Sequence, residues 1–216
     1  MAQRMIHYMI GTRLLEKEDS GDRMRFLLGS ILPDAYRLRK ERDASHFVRR
    51  TADGMVFYDA GSFFDAYRER IPADGLYLGY YMHLVEDVFY RTFIRKDKKL
   101  EIFGIPDAVR VLHNDYRLLN RYIIDTYGLH NEIVMPADLL QEPVMQCADF
   151  ACEEFLEEFG QDFCVSGEGS TVYITGEMLE EFLAAYYPLI EQEYLRVLHG
   201  QGKMNAQKYA WKRTGE

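Results

Sequence analysis

Residues 77–91, YLGYYMHLVEDVFYR, place His83, Glu86 and Asp87 inside a stretch rich in aromatic and aliphatic residues. This density of apolar residues predicts a helix packed among other helices. His83 and Asp87 are four residues apart and would share one face of that helix. Burying a charged group costs free energy unless its charge is compensated. A metal ion would compensate it, because imidazole and carboxylate are both zinc ligands, and a buried hydrogen-bonded pair is the alternative.

Helical periodicity continues through most of the chain and predicts an all-α fold with one multi-helix domain. Asp53-Gly54 lies between two short apolar runs and gives a weak β-hairpin signal near residues 45–58. The charged stretch 35–45 predicts an exposed connection. We assign residues 1–200 to the helical domain and 201–216 to a polar C-terminal tail. The predicted helices are residues 2–17, 23–34 (ended or bent by Pro33), 61–71, 75–95, 107–127, 136–160 and 175–199.

The composition narrows the class of protein. The 216 residues are 48% hydrophobic, which is enough for a substantial core. The formal net charge of −9 argues against general binding to nucleic acids or anionic membranes. We find neither a signal-peptide pattern nor an apolar run of the roughly 20 residues that span a bilayer. The three cysteines lack a CxxC pair, so we expect a reduced, cytoplasmic chain without a transmembrane segment.

Three further residues upstream have side chains of types that can bind metals. His7 lies on an apolar helical stripe, Asp34 follows Pro33, and His46 begins a short extended segment. Each has an ordinary interpretation by itself: a core histidine, a carboxylate that caps a turn, and a solvent-facing loop residue. Together with His83 and Asp87 they make five residues of suitable type in the first half of the chain.

The motifs IHYMIG, GSILPDA, SHF and LGYYMHLVED resemble, in sequence and order, the bacterial zinc-dependent phospholipase C superfamily over about residues 1–95. That superfamily shares its helical fold with the single-strand-specific fungal nucleases. The resemblance implies this fold type and a general-base role for Asp34. The chain lacks the histidines of the family's third metal site, so we expect one or two divalent ions, most plausibly zinc. The implied metal ligands are His7, Asp34, His46, His83 and Asp87.

Arginines near these positions suggest an anionic substrate. Arg37 and Arg39 belong to the run RLRKER, between Asp34 and His46, and Arg91 follows Asp87 by one helical turn. Guanidinium groups match phosphate oxygens bidentately. The alternatives are a solvated charged loop for the run and a simple ion pair with Asp87 for Arg91.

Two polar residues on the next helix are harder to assign. His113 and Asp115 stand two apart, so they do not both face one ion easily. We consider each a candidate for an extra ligand or base, with an ordinary polar role as the alternative.

These features lead us to expect a metal-dependent hydrolase that acts on a small anionic phosphoester. The ion would lower the pKa of a bound water from ~15.7 towards ~7 and so supply a nucleophile. The alternatives are a non-catalytic helical protein with a structural metal, a metal-free polar network, and a phosphohydrolase of the HD type. An adjacent His-Asp pair, which the HD type requires, does not occur in the sequence.

Overall fold

The computed structural model describes residues 3–18, 21–100, 105–164 and 167–212. Within these ranges the chain is mostly helical, with one small two-stranded antiparallel sheet, as the sequence predicts. None of the helices in the described part is long and apolar enough to cross a membrane. The helices are α1 (Arg4–Lys17), α2 (Arg23–Ile31), α3 (Arg42–Ser45), α4 (Ala60–Ala66), α5 (Gly75–Thr92), α6 (Ala108–Tyr127), α7 (Cys152–Gln161) and α8 (Gly176–Leu198), and the strands are β1 (Val48–Arg50) and β2 (Val56–Tyr58).

Helix α5 forms the centre of the molecule, and every residue from Gly75 to Tyr90 is buried. Its main partner is α2, and the two backbones meet where glycines remove the side chains. A Cβ added to Gly79 would lie 2.1 Å from the Phe26 carbonyl oxygen. A Cβ added to Gly29 would lie 2.2 Å from the carbonyl oxygen of Leu76. Glycine is therefore required at both positions for the observed distance between the helices.

The segment between α2 and α5 contacts both of these helices. After α2, the residues Leu32–Asp34 form a 3₁₀ turn that contains Pro33. The predicted hairpin is present, with Val48 opposite Tyr58 in antiparallel register. The prediction of an exposed connection over residues 35–45 is wrong at both ends, because Ala35 is buried and Ser45, at the end of α3, is completely buried. The Tyr80 hydroxyl donates to the Ser45 carbonyl and fixes this helix to α5.

Two predictions for the second half differ from the structure. The expected helix over 136–160 is two 3₁₀ turns, Leu139–Gln141 and Pro143–Gln146, followed by α7. Pro143 explains the break, because it disfavours helical geometry in the preceding residue, and Glu142 is extended with φ −66° and ψ 134°.

Within the segment predicted to be a polar tail, the described residues 201–212 pack onto the rest of the chain. Met204 and Ala206 are buried. The backbone of Trp211 exchanges two hydrogen bonds with Val56, each 2.9 Å long, and so extends the hairpin. Trp211 also contacts the ring of Tyr58, with 4.9 Å between centroids. The aromatic side chain of Trp211 thus anchors a segment whose composition is otherwise polar.

The close approach of α2 and α5 is tested by replacing Gly79 with alanine. The new methyl group would overlap the Phe26 carbonyl, and the helices can relieve this only by moving apart. We expect the free energy of unfolding, measured by urea denaturation, to fall by about 3 kcal/mol. Gly61→Ala in α4 is the matched control: its nearest neighbouring atom would be 3.4 Å away, and its effect should stay within about 1 kcal/mol. Equal urea midpoints for the two variants would contradict this packing.

Candidate metal centre

Side chains from four separate segments meet beside α5. His83 and Asp87 come from α5 itself and His7 comes from α1. Asp34 ends the turn after α2, and His46 directly follows α3. They form two overlapping groups, His7–His83–Asp87 and Asp34–His46–His83, and the ligand atoms within each group lie within 4.8 Å of one another. Both groups could hold a metal ion.

Backbone carbonyls orient two of the imidazoles. The His83 Nδ1 atom lies 2.8 Å from the carbonyl oxygen of Ser30. The His46 Nδ1 atom lies 3.0 Å from the carbonyl oxygen of Arg42. A carbonyl oxygen only accepts hydrogen bonds, so each Nδ1 carries the proton in the neutral ring. The Nε2 atom of each neutral ring is therefore unprotonated, and its lone pair is directed into the cluster.

These lone pairs face one another and two carboxylates. The Nε2 atoms of His46 and His83 are 3.3 Å apart. Asp34 Oδ1 lies 3.3 Å from His46 Nε2, and Asp87 Oδ2 lies 3.7 Å from the same nitrogen. Burial and the charge of His7 lower the pKa of His83 to about 3, so this ring stays neutral. The Asp34–His46–His83 group thus offers two nitrogens and one carboxylate oxygen, which are donor types that a divalent cation such as zinc binds.

The two aspartates are charged although they are buried. Burial raises the pKa of Asp34, but its contact with His46 outweighs this effect and the pKa is lowered to about 2. Burial likewise raises the pKa of Asp87, and nearby positive charge brings it well below the ordinary value. The cluster therefore presents negative charge to its interior, which favours a cation there.

The carboxylate of Glu86 holds His7, a contact that the sequence alone does not predict. The Nδ1 atom of His7 lies 2.6 Å from Glu86 Oε2, and both side chains are completely buried. The His7 ring stacks on His83 with 3.8 Å between centroids. Its Nε2 atom lies 3.6 Å from Asp87 Oδ1 and lacks a hydrogen bond within the described ranges. Glu86 orients His7 as outer carboxylates orient metal-binding histidines.

Only one of the five predicted ligands reaches the surface. The side chains of His7, His46, His83 and Asp87 are completely buried, whereas that of Asp34 is 12% exposed. Asp34 therefore marks the edge at which the cluster approaches solvent.

The arginines predicted to bind substrate occupy different environments. Arg37 lies between two carboxylates, with Asp149 at 3.3 Å and Glu154 at 3.6 Å. Arg39 is exposed. The Arg91 guanidinium lies 4.0 Å from the centroid of the Trp211 ring. Arg91 is thus packed under the C-terminal segment.

His113 and Asp115 belong to neither ligand group. His113 is exposed on α6. Asp115 is buried and accepts three backbone hydrogen bonds from the loop before α8, with N–O distances of 2.9, 2.6 and 3.1 Å. The donors are Val172, Tyr173 and Ile174. Asp115 therefore anchors that loop, which is the ordinary polar role that we left open for it.

The protonation of His7 provides a test of where an ion binds. Burial alone would lower the pKa of His7, but its contacts with Asp87 and Glu86 and their negative charges raise it to about 10. The metal-free protein therefore carries a proton on His7 at neutral pH, and an ion that takes Nε2 must displace it.

At pH 7.5 we expect zinc binding at His7 to release about one proton more in the wild type than in His7→Gln. Calorimetric titrations in buffers of different ionisation enthalpy measure this number. An ion held only by Asp34, His46 and His83 would give the same proton count in both proteins and would contradict a role for His7.

Comparisons of the chain with models of known families, with curated proteins and with solved structures gave no match. The resemblance to the zinc-dependent phospholipase C superfamily therefore stays a prediction that depends on short motifs. What the structure adds is the position of those motif residues, because they meet in two overlapping groups that could hold a metal ion.

Proposed function

We propose that the cluster binds one or two divalent ions, most suitably zinc, and that the protein is a metal-dependent hydrolase of a phosphoester. The observation that carries this proposal is the pair of facing Nε2 atoms, 3.3 Å apart, on two imidazoles whose Nδ1 atoms both contact carbonyls. Two lone pairs at this distance repel, and a cation between them turns the repulsion into coordination.

We assign these ligands to two ions. Asp34, His46, His83 and Asp87 would hold the first, and His7 would hold a second with Asp87 shared between them. Imidazole nitrogen with carboxylate oxygen suits zinc better than magnesium or calcium, which prefer oxygen ligands alone. Glu86 would keep the Nε2 atom of His7 directed at the ion.

When bound, a divalent ion supplies Lewis acidity, which polarises a phosphoryl oxygen and lowers the pKa of water. Asp34 contributes the acceptor at the solvent edge. A pKa of about 2 keeps the Asp34 carboxylate charged at neutral pH but makes it a weak base, so it could accept a proton only from a water that the ion has made more acidic. Because Asp34 is partly exposed, the proton can then pass to solvent. The buried ligands cannot exchange protons with water in this way.

One observation favours a second candidate, a structural ion that only links the helices. Four of the five ligands are completely buried, which is typical of closed coordination. The two candidates differ at Asp34. A structural ion needs Asp34 as a ligand only, whereas a hydrolase also needs its basicity.

Asp34→Asn separates these candidates. The substitution keeps the shape and one oxygen ligand but removes the negative charge and the basicity. We expect the variant to retain its fold and at least one zinc ion per chain while hydrolysis falls by about 10²–10⁴-fold. Metal content by elemental analysis and turnover of phosphomonoester, phosphodiester and phospholipid substrates are the two measurements.

His83→Ala provides the contrasting variant. It removes the ligand shared by both groups and leaves Asp87 buried without a cation, so zinc and thermal stability should be lost together. A zinc-containing wild type that turns over none of these phosphoesters would favour the structural ion over the hydrolase.

A further inference from the structure

We propose that the Ser45 hydroxyl positions a metal ligand: it accepts the Nδ1–H proton of His46 and so keeps the Nε2 atom of that ring directed at the ion. This inference rests on the metal-binding part of the proposed function. It assigns a role to a side chain that is not itself a ligand and that the sequence motifs do not single out.

Ser45 lies directly before His46 at the end of α3 and is completely buried. Its Oγ atom lies 2.9 Å from Nδ1 of His46 and 3.1 Å from the carbonyl oxygen of Arg42. Because a carbonyl oxygen only accepts, the single hydroxyl proton of Ser45 goes to the Arg42 carbonyl. The lone pairs of Oγ are then available to accept the proton of Nδ1.

The Arg42 carbonyl alone does not satisfy the imidazole. Three donors share this oxygen: the backbone N–H of His46 at 3.0 Å, Nδ1 of the same residue at 3.0 Å and the Ser45 hydroxyl at 3.1 Å. A carbonyl oxygen has two lone pairs, which is one fewer than these donors need. Ser45 Oγ is therefore the second acceptor that the Nδ1–H group requires.

Helix α5 holds Ser45 from the other side. The Tyr80 hydroxyl donates to the Ser45 carbonyl, and the Tyr80 ring stacks on Phe63 with 4.6 Å between centroids and 8° between planes. His83 follows Tyr80 by three residues on α5, and its Nε2 atom faces that of His46 at 3.3 Å. The Tyr80 contact thus ties the turn that carries His46 to the helix that supplies the facing ligand.

The backbone directly after His46 is strained. Phe47 has a φ of 50°, in the left-handed region that side chains other than glycine rarely adopt. Its ring packs edge-on against Phe63, with 5.2 Å between centroids, and its carbonyl accepts from the Asp59 N–H at 2.9 Å. Such strain persists only where surrounding contacts impose it. The backbone at His46 is therefore fixed, and Ser45 controls the orientation of the ring.

This arrangement follows a general feature of metal-binding histidines. The ring nitrogen that does not bind the ion donates to an outer acceptor, which sets the tautomer and the direction of the ligand. Glu86 has this role at His7, and we assign it to Ser45 at His46. Loss of such an acceptor weakens metal binding about 10–100-fold.

The test measures the zinc affinity of the full chain by competition with a chromophoric chelator. Ser45→Ala should bind zinc at least about tenfold more weakly than the wild type. Thr92→Val is the matched control, because it removes a hydroxyl that donates to a carbonyl of its own helix, that of Val88 at 2.8 Å. It should change zinc affinity less than about twofold. Ser45→Thr keeps a hydroxyl and should bind zinc more tightly than Ser45→Ala.

A second readout reports the contact itself. In the zinc-saturated protein with isotope-labelled histidine, NMR observes the Nδ1–H proton of His46. We expect this resonance to lie downfield in the wild type, since the proton is hydrogen-bonded, and to move upfield in Ser45→Ala. A serine that only fills space would leave the resonance in place.

Each result decides the proposal. Weaker zinc binding in Ser45→Ala with the upfield shift and an intact fold supports it. Unchanged zinc affinity in Ser45→Ala, or an equal loss in Ser45→Thr or Thr92→Val, overturns it. If Ser45→Ala does not fold, Tyr80→Phe decides by the same zinc criterion, because it releases the Ser45 carbonyl. A wild type that binds no zinc refutes the proposed function as well, whereas a zinc-binding wild type that Ser45→Ala matches refutes this inference alone.

Discussion

The contact between the backbones of α2 and α5 positions most of the cluster. Gly29 and Gly79 permit this contact, because a Cβ at either position would overlap a carbonyl group of the opposite helix. At this short distance the Ser30 carbonyl reaches Nδ1 of His83, which sets the direction of the imidazole. The 3₁₀ turn after α2 then delivers Asp34 to the same place. One steric requirement therefore controls both the core and the site.

The cluster also places charged groups in the interior, where their burial costs free energy. Asp34, Glu86 and Asp87 bring three carboxylates into the interior, and burial disfavours their charged forms. In the metal-free state this charge is balanced in part by a proton on His7. An ion would balance it more completely and would satisfy the facing lone pairs of His46 and His83. Metal binding and folding stability are coupled in such an arrangement.

The sequence predicts α5 well, since α5 has strong periodicity, and its short motifs contain the five residues that the structure brings into two groups. The predictions are wrong where contacts between residues distant in the sequence determine the structure. Pro143 divides the expected helix over 136–160, and the contacts of Trp211 turn an expected tail into packed structure. The role of Glu86 depends on its distance from His7, which is 79 residues away, and the role of Ser30 depends on a backbone carbonyl. Neither contact leaves a pattern in the sequence.

We propose that a cation binds between the Nε2 atoms of His46 and His83. Anomalous diffraction at the zinc edge, from crystals grown with equimolar zinc at neutral pH, tests it most directly. We expect an anomalous peak about 2.0–2.2 Å from both nitrogens and from a carboxylate oxygen of Asp34 or Asp87. Crystals that show no peak there, with the two nitrogens still near their 3.3 Å separation, would contradict the metal centre.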